Sequence, residues 1–350
     1  MEGSAGFGKN NLDCLRLILA SIVAFFHVYA LSNIDAFSGF DKYLSPHFAV
    51  KGFFVISGLL IYRSYSRSSS IRSYFEKRLR RIYPAYFTVI VFSSLALFAL
   101  SSLPAQQYFG MGFWKYLGAN LLFLNFLAPS LPGVFTANVN PAVNGALWTL
   151  KIEVLFYLFV PLMHYLCRKL GTKTTMIAIF ALSFLWKYGF MFLAKLDNSR
   201  GIYAKMQVEF PAQLVYFAAG VLLLLYYDKL KYHFVAISLI TACVFAVDHW
   251  LTGGMLDVFW VSGFVFVFGF WRYFGNFSKH GDFSYGVYIV HWPILQTLVS
   301  CHVTRLGASA FLAISLVSIF MVSVLVWNFV ESRFLAGSSH YRQAQVGTLG

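Results

Sequence analysis

The sequence predicts an all-α fold, a polytopic membrane helix bundle of about ten transmembrane helices with both termini in the cytoplasm. Three observations lead there. Hydrophobic residues make up 59% of the 350 and charged residues only 11%, where a soluble domain carries about 25% charged residues. The apolar residues gather in runs of about the length that crosses a bilayer as a helix. The lysines and arginines fall in alternate short connections between those runs, which is the positive-inside pattern.

Ten runs can be marked, at 12–32, 46–63, 82–102, 147–167, 174–194, 211–227, 233–249, 256–271, 284–301 and 309–331. Some have only about 16–18 residues, a deficit that local bilayer thinning accommodates. The piece "FWKYLGANLLFLNFLAP" is too interrupted for a span and reads as a re-entrant or interfacial segment outside the membrane. One face, with both tails, carries about 17 Lys and Arg and the other about 6, which puts the termini inside. The densest basic stretch, "RSYSRSSSIRSYFEKRLRR", reads as the loop between spans two and three. The expectation is one membrane domain over 1–350, its spans within 12–331, and a short cytoplasmic tail at 332–350 with no soluble domain.

The net charge of +14 does not signal nucleic acid, because the basic residues are distributed by topology rather than patched. Cys14, Cys167, Cys243 and Cys301 lie far apart, with no CxxC spacing and no Cys/His pattern for a metal. His47, His164, His233, His249, His280, His302 and His340 form no metal-like group either, so no metal is expected.

Span one, "LDCLRLILASIVAFFHVYALS", holds the first clue to function. Arg16 and His27 are eleven steps apart and so face one direction, roughly 16 Å from each other along the axis. Ionisable groups in a span usually face a bundle interior or a wet cavity. With the N-terminus inside, His27 lies about five residues from the outer end. Lys51 lies at a similar depth in span two and Glu153 in span four. That depth suggests a buried site where a histidine meets a carboxylate. Histidine titrates near neutral pH, where a general base works best. The alternative for His27 and Glu153 is a pair that merely ties two helices together. For Lys51 it is a structural ion pair or a snorkelling side chain.

These residues sit in a series of motifs. Arg16 and His27 are followed by "FFVISG" at 53–58, "RLRR" at 78–81, "LWTLKIEVLFY" at 147–157, "GDFSYGVYIVHWPIL" at 281–295 and "WNFVESRF" at 327–334. In order and spacing the series resembles the acyltransferase-3 family of bacterial membrane O-acetyltransferases, over nearly the whole chain. The chain departs from the family pattern at Lys51, Lys151 and Val154, and the SGNH domain that many members carry is not expected in it.

The resemblance implies a bacterial inner-membrane enzyme that takes acetyl-CoA from the cytoplasm. It implies a glycan or lipid-linked glycan acceptor outside, such as lipopolysaccharide O-antigen. Arg78 and Arg81 become candidates for the CoA phosphates, since a guanidinium fork binds two oxygens. Plain positive-inside topology is the alternative. Arg16 becomes a guide for the donor. His27 becomes the base, or else a transient acyl carrier, and Glu153 the group that orients it. Lys51, Ser57 or a backbone N–H near Gly58 are candidates for the oxyanion. Trp148 is a candidate for sugar stacking. His291 either satisfies a carbonyl freed by Pro293 or lines the acceptor route. Lys187 has no assigned role. The competing class is a transporter or flippase that uses the buried Arg16, His27 and Glu153.

Overall fold

The computed structural model describes residues 9–196 and 201–335; His340 and most of the expected 332–350 tail lie outside the described residues. Eleven helices of ten residues or more run in chain order. They are α1 Leu12–Ser32, α2 Pro46–Ser66, α3 Ile71–Ala96, α4 Met111–Leu121, α5 Trp148–Leu170, α6 Thr172–Leu196, α7 Phe210–Leu225, α8 Phe234–Val247, α9 Asp257–Phe270, α10 Phe283–Ser300 and α11 Ala308–Val326. The described residues contain no strand. The protein is all-α and polytopic, and eight helical stretches are long and apolar enough to cross a membrane. All ten expected runs are helical. The two outside the eight are α9, with 14 residues, and α10, which carries His291, Pro293 and Gln296.

Two sequence expectations change in detail. The basic stretch after α2 is not a loop. Only four residues separate α2 from α3, and Arg72, Lys77, Arg78, Arg80 and Arg81 are all helical. The reason is local: Ser70 caps the helix, its Oγ accepting from the Ser73 N–H at 3.1 Å. Charge ends a span but need not end a helix. The interrupted segment after α3 likewise contains a true helix, α4, whose Asn120 is buried.

The chain divides into two compact units. The first comprises Met1–Leu15, Val50–Phe75 and Ile152–Asn276; the second comprises Arg16–Ala49, Glu76–Lys151 and Phe277–Gly350.

In the first unit α7 packs on α6 and α9, and α8 packs on α9. Helix α8 buries none of its residues, and its Val235, Leu239 and Ile240 are exposed, as expected for a surface solvated by lipid. Asn11 ties the start of α1 to the end of α9. Its side chain donates to the Phe268 carbonyl at 3.0 Å and accepts from the Phe274 N–H at 2.8 Å. Asp248 caps the turn before α9 by accepting from the Leu256 N–H and the Trp260 indole, both at 2.8 Å.

Helices α2 and α7 touch backbone to backbone. A Cβ on Gly58 would collide with the Phe217 carbonyl, and one on Gly220 with the Val55 carbonyl. Small residues let membrane helices approach this closely. Gly58→Ala and Gly220→Ala should each lower stability by about 1–3 kcal/mol through overpacking. Gly189→Ala, where a Cβ meets nothing within 4 Å, serves as the neutral control. Thermal unfolding in detergent checks this; three equal melting points would refute the close approach.

In the second unit α10 packs on α11, with Gly286 against Ser323. The long connection before α5 is anchored on α10. Trp292 donates to the Ala142 carbonyl at 3.1 Å, and Gln296 to the same oxygen at 2.9 Å. Tyr86, fully buried in α3, donates to the Asn120 carbonyl at 2.6 Å and stacks on Phe123.

Candidate active site

The start of α10 organises the first cluster, in the second unit. Gly281 adopts φ +126°, and a Cβ there would strike Trp327. This turn delivers Asp282 to the N-cap of α10, where it accepts from the Ser284 N–H at 3.1 Å. The same carboxylate receives Arg16 from α1 at 2.6 Å and Arg81 from α3. Arg81 also reaches Glu331, which follows α11, at 3.4 Å. Asp282 and Glu331 are only 3% and 2% exposed. Buried charges must be matched, and here two arginines face two carboxylates. The structure thus brings together two of the three arginines expected to handle the donor. Arg78 lies on α3, three residues before Arg81.

The second cluster surrounds His27, also in the second unit. The ring is half-buried on α1. Its Nδ1 lies 3.0 Å from Nε2 of His291, which is fully buried on α10. Trp292 packs edge-on against the His27 ring at 4.7 Å between centroids. A half-buried imidazole braced on two sides has the access and the rigidity that a proton-transfer group needs.

His291 does not satisfy the carbonyl freed by Pro293. That carbonyl belongs to Ile289, one turn earlier, and Asn144 donates to it at 2.8 Å. His291 instead uses Nδ1 on the Val287 carbonyl at 3.1 Å. The same device recurs in the first unit, where Pro161 frees the Tyr157 carbonyl and the Tyr74 hydroxyl donates to it at 3.2 Å.

Glu153 belongs to the first unit. Its two oxygens accept from the hydroxyls of Ser57 at 2.8 Å and Tyr157 at 2.9 Å. Ser57, expected near the oxyanion, therefore holds the Glu153 carboxylate. Trp148 opens α5 in the second unit and is half-buried.

Lys51 and Lys187 meet in the first unit around Asp257. Lys51 Nζ lies 2.7 Å from Asp257 and Lys187 Nζ 2.8 Å from it. The hydroxyls of Tyr188 and Tyr216 donate to the same carboxylate at 2.8 and 2.6 Å. Two cations around one carboxylate explain Lys187, which sequence left without a role. Asp257→Ala would strand two ammonium groups and should cost about 3–5 kcal/mol. The yield of monodisperse protein and its melting point in detergent check this, and an unchanged melting point would refute it.

Sequence reasoning missed Asp282, Glu331 and Asp257. A usable signal was present. The chain has only 13 acidic residues, and matching span ends by depth, as was done for His27, Lys51 and Glu153, would have set Arg16 and Arg81 beside Asp282 and Glu331. Among the described residues no group of three or more His, Cys, Asp or Glu could hold a metal ion.

A multi-pass helical membrane protein with a braced, half-buried histidine and an arginine–carboxylate cluster defines a class: an integral membrane protein with ionisable groups matched inside its bundle. The chain belongs to the Acyl_transf_3 family, described as an acyltransferase domain, which matches residues 9–330. It is similar to a protein named nodulation protein 10 of Rhizobium leguminosarum bv. viciae, at 29% identity over 85% of this chain and 86% of that one. It is also similar to an O-acetyl transferase of Shigella phage Sf6, at 26% identity over 95% of this chain and 97% of that one. Acyltransferase MdmB of Streptomyces mycarofaciens is 28% identical over a shorter stretch, 36% of this chain and 30% of its own. No solved structure gives a significant match. The family match decides for an acyltransferase over the transporter that buried charges alone would also allow.

Proposed function

We propose that this protein moves an acetyl group from cytoplasmic acetyl-CoA to a hydroxyl of an extracytoplasmic glycan, of the lipopolysaccharide O-antigen or lipid-linked kind. In this reading it works in the bacterial inner membrane as one domain of about ten spans, with both termini cytoplasmic. The observation that carries the chemistry is His27, half-buried and braced by His291 and Trp292. The family match and the phage O-acetyl transferase support the acyl chemistry.

His27 acts as general base. Its Nε2 takes the proton of the acceptor hydroxyl as that oxygen attacks the thioester carbonyl. Collapse of the tetrahedral intermediate breaks the C–S bond, and the imidazolium returns its proton to the departing thiolate. The products are the acetyl ester and CoA thiol, with His27 neutral again. Arg16, Arg78 and Arg81 are the donor-side groups, suited to phosphate by charge and shape. Glu153 is kept as the second catalytic group on the sequence argument, and Ser57 and Tyr157 hold its oxygens. Lys51, Ser57 and Trp148 stand as oxyanion or acceptor-side groups on the same footing.

The test is the purified protein in detergent with acetyl-labelled acetyl-CoA and lipid-linked glycan. Label should enter the glycan while an equal amount of CoA thiol appears. If neither is seen with any glycan acceptor tried, while another acyl-CoA is consumed, the acetyl assignment is wrong.

A further inference from the structure

The two histidines form a directed chain. The Val287 carbonyl can only accept, so His291 Nδ1, 3.1 Å away, carries a proton. In a neutral imidazole the other nitrogen is then an acceptor, and His291 Nε2 presents its lone pair. That lone pair lies 3.0 Å from His27 Nδ1. The contact is edge to edge and not a stack. The planes are within 17° of parallel with centroids 5.1 Å apart, and an N···N distance of 3.0 Å is shorter than the roughly 3.5 Å between stacked faces. His27 Nδ1 must therefore be the protonated nitrogen.

We propose that His291 is a positioning residue that fixes the tautomer of His27, keeping Nδ1 protonated and Nε2 bare as the proton acceptor. This rests on the reading of His27 as general base. It assigns to a buried neutral histidine the orienting task that carboxylates perform in hydrolase triads. When His27 gains its second proton, Nδ1–H still donates to His291, so the ring keeps its orientation through the cycle. The fold supports this. His291 is fully buried, Asn144 takes over the carbonyl freed by Pro293, and Trp292 packs edge-on against the His27 ring.

Two substitutions separate orientation from packing. In His291→Gln a side-chain oxygen stands where Nε2 was and accepts from His27. In His291→Asn the amide still donates to Val287 but reaches no further. We expect the Gln variant to hold kcat within about 10-fold and the Asn variant to lose about 100-fold or more, by analogy with a mis-set catalytic tautomer. KM for acetyl-CoA should stay close to wild type in both; the Asn variant leaves the His27 Nδ1–H without its acceptor and should melt somewhat lower. Equal loss in the two variants, or none in either, overturns the proposal.

Nitrogen NMR of histidine-labelled protein reads the tautomer without turnover. His27 should show a pyrrole-type Nδ1 and a pyridine-type Nε2, and His291→Asn should mix the two forms. The opposite pattern in wild type overturns the proposal. Full transfer by His27→Ala would instead sink the base reading, and the NMR result would still decide whether His291 sets the tautomer.

Discussion

Replacing His27 with alanine is expected to abolish acetyl transfer, by about 10³-fold or more, while the protein still accumulates in the membrane. The magnitude is that of a lost general base. The side chain is half-buried, so truncation leaves a modest void beside Trp292 and leaves His291 Nε2 without its donor. An unsatisfied buried acceptor costs about 1–3 kcal/mol. His27→Asn controls for that cost. Its amide keeps a donor near the position of Nδ1 but carries no ring nitrogen to take a proton. Both variants should be inactive, and the Asn variant should melt nearer to wild type. Acetyl content of the glycan by mass spectrometry, at matched membrane levels, reads the first effect. A His27→Asn variant that transfers acetyl normally would make His27 structural.

The second large effect is expected at Asp282, a residue that neither composition nor periodicity singled out. Asp282→Ala removes the carboxylate shared by Arg16 and Arg81 and the N-cap of α10 at once. Arg16 loses its carboxylate while Arg81 keeps Glu331; breaking a buried ion pair costs about 3–5 kcal/mol, and a lost cap adds about 1 kcal/mol. A loss of that size should lower accumulation in the membrane. Asp282→Asn dissects it, since asparagine caps a helix as well as aspartate does. The Asn variant should reach the membrane with a lower melting point, leaving only the charge imbalance. Detergent melting curves and immunoblots of membrane fractions decide the matter. If Asp282→Ala accumulates and melts like wild type, the cluster does not hold the second unit together. Arg81→Ala then reports on the donor. It leaves Asp282 with Arg16 but takes an arginine partner from the buried Glu331, and KM for acetyl-CoA should rise about 10-fold if Arg81 also meets phosphate.

Much of this could be read directly from the sequence. All ten apolar runs are helical, and eight helical stretches are long and apolar enough to cross a membrane, because length and apolarity are local properties. Arg16 and His27 were found for the same reason, as costly residues in an apolar helix. The limits of α3 were not legible, since hydropathy marks the edge of the lipid and Ser70 marks the start of the helix. The partners were legible only by type. Within the second unit the structure sets His291, 264 residues away, against His27, a partner that sequence reasoning did not name. The carbonyl freed by Pro293 was foreseen, but its donor was not, because Asn144 arrives from a connection with no periodic signal.

The sequence by itself determined the class of protein, its helices and the identity of its exceptional residues, because apolar period and ionisable intrusions are properties of single segments. Tertiary structure decided how those residues are matched. Asp282 gathers Arg16 and Arg81, Asp257 gathers Lys51 and Lys187, and His291 faces His27. Buried charges and ring nitrogens must find partners wherever the fold supplies them, and that choice depends on which helices pack together.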